Sequence, residues 1–290
     1  MTFWNNVIRV FLVLSTSHFG VIAQPDLFDQ INSSSDEQHP IVSPDGQTLY
    51  FTRANDQNNA GGIRDKGDIW YSTLQPDNRW STPKNLTTLN NSHWNGIIGM
   101  SDDGKTLYLL GHYSTRNGIV RTQGISKSVK KGSRWTSPED ISIPYFKNTS
   151  SNFGAYVNAD GSVAVFSLES YGTHGAEDIY VSVKGGNNKW SDPKNLGSVI
   201  NSKFQELTPY LSKDKKTLYF SSNGWGGKGS SDVMSSQRLG ESWTEWSKPT
   251  PVNEVNSSGR ELGYKIFNGY SLYTSTISSD GYGDIKLFTP

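Results

Sequence analysis

The stretch Gln205–Ser236, QELTPYLSKDKKTLYFSSNGWGGKGSSDVMSS, closed by Trp246–Ser258, WSKPTPVNEVNSS, decides the fold. An apolar-polar run from Thr208 to Leu211 meets a charged turn, and a second run of period two follows through Leu218 and Phe220. A glycine-rich loop leads to a third short run from Asp232 to Ser235, and a Trp-Ser-x-Pro ending completes the unit. Alternation over four to eight residues between turn signals marks half-buried strands. Four strands followed by a restart is the pattern of a propeller blade.

The remaining sequence repeats this unit. The first turns are Pro44-Asp45-Gly46, Asp102-Asp103-Gly104, Ala159-Asp160-Gly161, Lys213-Asp214-Lys215 and Asn268-Gly269. Asp-Gly and Asn-Gly suit the positive backbone angles of tight hairpins. Second strands read LYFT at 49, LYLL at 107, VAVF at 163, LYFS at 218 and LYTS at 272. Third strands begin at Asp68, Gly124, Asp178, Asp232 and Asp284. Trp80, Trp135, Trp190 and Trp246 open the fourth strands of the first four copies. The fifth copy stops at Pro290 after its third strand, and its missing tail matches Pro25 through Ser33. The expected fold is therefore all-β: a five-bladed β-propeller closed by the N-terminal segment of the mature chain, which leaves no open sheet edge.

The 290 residues carry 27 basic and 27 acidic side chains, so neither nucleic acid nor an anionic membrane surface is an expected partner. Cysteine is absent, which excludes disulfides, thiolate metal sites and a cysteine nucleophile. Residues 1–23 read as a signal peptide, with Arg9, the apolar VFLVL and a cut after Val21-Ile22-Ala23. That reading leaves residues 24–290 as one propeller, places the protein in the periplasm or outside the cell, and gives it no membrane span.

The segments HPIVSPDGQTLYFTR, GDIWYS and WSTPKNL, repeated along essentially the whole mature chain, resemble the WD-like repeats of TolB-type β-propellers. The resemblance implies an exported propeller and leaves activity open, because the repeat serves scaffolds, partner-binding domains and some polysaccharide lyases.

The face that carries the links between blades also carries the second-to-third-strand loops and surrounds the channel mouth. Aligned backwards from the first turn, Glu37, Asn95, Asn152, Glu206 and Glu261 share one position; His39, Ile97, Gly154, Thr208 and Gly263 follow two residues on. Side chains two apart share a strand face, so both sets are expected to line the channel entrance. The carboxylates either cap backbone donors or, with His39 and His93, hold a divalent metal such as Mn, Zn or Ca. Beyond the leader, His39, His93, His112 and His174 all map to this face, as do Tyr113, Arg116, Tyr171, Trp225, Arg260, Tyr282, Trp94 and Phe153.

Three functions fit. The first is elimination of water or a sugar from uronic-acid oligosaccharides by a lyase or dehydratase. It would take His112 or His174 as base, Tyr113 or Tyr171 as acid, and Arg116 with Asn95 or Asn152 as clamp. Trp94, Trp225 and Arg260 would bind the acidic oligosaccharide or polysaccharide. The second is a non-catalytic module for a periplasmic protein partner or cell-wall glycan. The third is a glycoside hydrolase using Glu37, Glu206 and Glu261.

Overall fold

A computed structural model describes residues 27–116, 119–120, 123–278 and 280–290, so the expected leader at 1–23 lies outside the described residues. Five antiparallel sheets form a five-bladed propeller. Blade 1 is Asp36–Val42, Thr48–Ala54, Asp68–Thr73 and Lys84–Asn85; blade 3 is Gly154–Val157, Val163–Leu168, Asp178–Val183 and Lys194–Asn195. Blade 4 is Glu206–Leu211, Thr217–Ser222, Asp232–Gln237 and Thr250–Pro251. In blade 2 the inner strands Gly96–Met100, Thr106–Leu110 and Ile125–Lys131 take two outer pieces, Arg134–Trp135 and Glu139–Ile141. Blade 5 has three strands, Glu261–Phe267, Tyr270–Ser275 and Asp284–Phe288. No helix of the described residues is long and apolar enough to cross a membrane.

One apolar cluster fills each of the five interfaces between neighbouring blades. Leu89, Ile97 and Leu107 join blades 1 and 2, Phe153, Phe166 and Ile125 blades 2 and 3, and Ile179, Leu218 and Phe220 blades 3 and 4. Val233, Val255 and Tyr264 join blades 4 and 5, while Phe28, Ile31, Phe51 and Ile285 join blade 5 to blade 1. Each fully buried side chain of this size contributes ~1.5–3 kcal/mol, so every interface is held by several such terms.

The expected closure is present, and its bonds can be named. In blades 1, 3 and 4 an asparagine after the fourth strand clasps one peptide of the third. Asn90 does so to Ile69, Asn201 to Ile179 and Asn256 to Val233, accepting from the N–H and donating to the carbonyl. Asn32 clasps Ile285 identically, at 2.8 and 3.0 Å across 253 residues. The N-terminal tail thus does for blade 5 what a local connection does elsewhere. It does so without a fourth strand among the described residues, and a cavity of about 330 Å³ lies there against Leu27, Phe28, Tyr273, Ile285, Lys286 and Leu287.

One detail of the repeat alignment shifts. Glu37 and Glu206 pair with Arg53 and Ser222, 16 residues along, but Glu261 pairs with Ser275, 14 along. The two-residue turn at Asn268-Gly269, with Gly269 at φ +85°, shortens the fifth hairpin and moves LYTS one step along the ladder.

Candidate functional site

The innermost strands pack against one another around the axis, and the residues entering them set the channel mouth. Glu37, Glu206 and Glu261 do not line it: all three have no exposed surface. Each carboxylate accepts the backbone N–H and hydroxyl of a serine four residues earlier, Ser33, Ser202 and Ser257 respectively. A group on the second strand adds a third bond, from Arg53 Nε at 2.8 Å, Ser222 at 2.9 Å and Ser275 at 2.9 Å. Burial pushes the Glu37 carboxyl from 4.5 up to about 7 despite the opposing Arg53 charge, and burial also raises Glu206. These carboxylates tie each blade link to its inner hairpin.

The period-two expectation fails just after them. The ladder slips between Gln38 and Ile41, Leu207 and Tyr210, and Leu262 and Lys265, and His39, Thr208 and Gly263 sit at φ 53°, 44° and 64°. Such bulges re-aim one residue. His39 is half-buried, and desolvation together with the Lys265 charge lowers its pKa to about 3. The five expected metal residues, His39, His93, Glu37, Glu206 and Glu261, therefore do not converge. Among the described residues no group of three or more His, Asp or Glu is placed to hold a metal ion.

The second-to-third-strand loop of blade 3 gathers chemistry. Asp178 opens the third strand with no exposed side-chain surface and accepts the His174 N–H at 2.8 Å and the Asn195 amide at 2.8 Å. His174 Nδ1 lies 3.2 Å from the same Asp178 oxygen, while its side chain stays 44% exposed. A carboxylate there fixes the ring and leaves Nε2 as the working nitrogen. Tyr171, 74% exposed, has the Lys147 ammonium 4.7 Å from its ring centre. Sequence reasoning missed Lys147, which comes from the link before blade 3, and gave Asp178 no role although the repeat displays it.

The other candidates are divided among structural tasks. His112 packs over Gly124, where its ring fills the space that a Cβ would take. The Tyr113 phenol accepts from the Asn95 amide at 3.1 Å, and burial raises its pKa well above the usual range. Asn152 donates to Glu177 at 2.9 Å, and Gln205 donates to the same carboxylate at 2.7 Å. Burial opposes ionisation of Glu177, but the bonds from Ser150, Asn152 and Gln205 prevail and lower its pKa. Trp225 packs on the blade 3–4 cluster and donates to Ile200 O at 2.9 Å. Trp94 packs on the blade 2–3 cluster under Lys66. Arg260 is exposed, with its backbone bonded to Thr276. The Arg116 backbone pairs with Ile119, and its side chain lies outside the described residues. The structure thus joins Tyr171, His174, Lys147 and Asp178 in one region and leaves His112 and Tyr113 in blade 2.

Among known proteins, no family model matches this sequence, and no curated protein matches it. Solved structures do. An α-L-arabinofuranosidase from Lactobacillus brevis aligns over 88% of this chain and 90% of its own, with 13% identity and a TM-score of 0.56. A structure described as a glycoside hydrolase aligns over 89% of this chain and 88% of its own, with 10% identity and a TM-score of 0.57. TolB from Acinetobacter baumannii aligns over 89% of this chain and only 55% of its own, with 17% identity and a TM-score of 0.48. At these identities the likeness is one of fold.

Proposed function

We propose that the protein is a carbohydrate-directed propeller whose working surface is the blade 3 loop, and that it eliminates water or a sugar from uronic-acid oligosaccharides. The observation that carries the reading is the half-exposed His174 held through Nδ1 by buried Asp178, on the loop that also carries exposed Tyr171 with Lys147 over its ring. Tyrosine offers a flat face to a sugar ring, and the lysine ammonium offers a counter-charge to its carboxylate. His174 Nε2 takes the proton from the carbon α to that carboxylate. The electron pair left behind forms the new C=C bond as the β C–O bond breaks, and the departing oxygen is protonated by Tyr171. Asp178 stabilises the imidazolium so formed.

Two of the similar structures, described as an arabinofuranosidase and a glycoside hydrolase, make hydrolysis the second reading. Glu37, raised to about 7, has the protonation a general acid needs, but its complete burial separates it from any sugar.

Incubation with oligouronates, following ultraviolet absorbance and reducing ends together, tests both. Elimination gives a new conjugated double bond and a rising absorbance. Reducing ends without absorbance mean hydrolysis and overturn the elimination reading. Retention on a glycan column with neither signal reduces the loop to a binding surface.

A further inference from the structure

The inner ring of strands contains a charge that nothing in the fold answers. Lys265, on the innermost strand of blade 5, is 5% exposed, yet no carboxylate among the described residues lies within 4 Å of its ammonium. Its one hydrogen bond is a long one, 3.5 Å to Gly263 O. The corresponding ladder positions in blades 1 and 4, opposite Tyr50 and Tyr219, are the buried Ile41 and Tyr210. A solitary buried ammonium costs several kcal/mol in desolvation, and an apolar side chain would avoid that cost.

A second donor stands beside it. Gly263, at φ +64°, separates Lys265 from His39: a Cβ on Gly263 would lie 3.5 Å from His39 Nδ1. The two groups also sense each other electrostatically, and His39 keeps part of its surface open. Burial alone lowers the Lys265 amine from 10.5 to about 7, so a bound counter-charge would restore its ammonium form near neutrality. Buried cationic groups are normally matched by an acid; here none of the described residues supplies one.

We propose that the channel binds a small monovalent anion, a carboxylate or halide, between the Lys265 ammonium and the His39 imidazole. Carboxylate could reach this site as a free small acid or as the acid group of a sugar, and the two sources are separable. This site is independent of His174, so it stands or falls apart from the proposed reaction.

Thermal unfolding of the full chain at pH 6.5 supplies the test, with acetate, bromide or glucuronate added against a bulky sulfonate salt of equal ionic strength. Acetate and bromide should each raise Tm by about 2–4 °C at saturating concentration. A matching rise with glucuronate means that sugar acids enter; no rise with glucuronate restricts the site to free small anions. Lys265→Met should fold with an equal or higher Tm and lose the anion response. A response unchanged in Lys265→Met, or none in the wild type, overturns the proposal. Should Lys265→Met fail to fold, side-chain NMR of wild-type Lys265 decides: acetate must move its titration upward, and an unmoved titration overturns the site.

Discussion

Blades 3 and 4 anchor their second-to-third-strand loops with the same device and spend it differently. Buried Asp178 and Asp232 each accept the backbone N–H of the residue four earlier, His174 at 2.8 Å and Lys228 at 3.0 Å. In blade 4 the exposed side chain at that position is tied to the next link, with Lys228 donating to the carbonyls of Asn253 and Asn256 at 2.8 and 3.2 Å. In blade 3 it stays half exposed, with Asp178 holding its inner nitrogen. The aspartate is therefore architecture, and the residue it presents is free to carry chemistry. One repeat position performs two tasks, and the difference lies in one side chain.

The largest effect should come from His174→Ala. Oligouronate turnover is expected to fall ~10²–10⁴-fold, while the free energy of unfolding moves by no more than ~0.5 kcal/mol. Lys228→Ala should do the reverse, costing ~1 kcal/mol of stability by urea titration and leaving turnover unchanged. Next come the anchors themselves. Asp178→Ala and Asp232→Ala should each cost ~2–3 kcal/mol, since each strips a charged acceptor from buried backbone donors; a large inequality in urea midpoints would break the shared-anchor account. Tyr171→Ala should weaken oligouronate binding ~3–10-fold by calorimetry without altering stability.

Acid titration probes His39 directly. His39 has its pKa depressed from 6.5 to about 3 by burial, so the unfolded state takes up its proton first. Its contribution to stability is full above pH 6.5 and is lost as pH falls toward 3. Raised Glu37 acts with the opposite slope between 4.5 and 7, but it is common to every variant compared. His39→Gln should flatten the acid limb of stability against pH.

Much of this was legible in the sequence. Repeated turns, LYF-type strands and Trp-Ser endings gave five blades, and Asn32-Ser33 matching Asn256-Ser257 gave the closure. The carboxylate ring was misplaced although its correction was also written there: Ser33, Ser202 and Ser257 each stand four residues before a glutamate. The bulges were not legible, because His39 and Thr208 adopt positive φ without being glycine, so alternation carried across them pointed side chains the wrong way. Lys147 reaches Tyr171 from a link outside the repeat, a contact that only the packed blades create. Lys265 drew no reading from the sequence, because its isolation depends on what surrounds it in three dimensions.

The most direct measurement is the histidine side-chain NMR spectrum during titration with an oligouronate, with the His174 resonance assigned from His174→Gln. The account requires that resonance to shift with saturation while that of His39 stays in place. A still His174 signal, with His112 or His93 moving instead, would contradict it and move the working surface off blade 3.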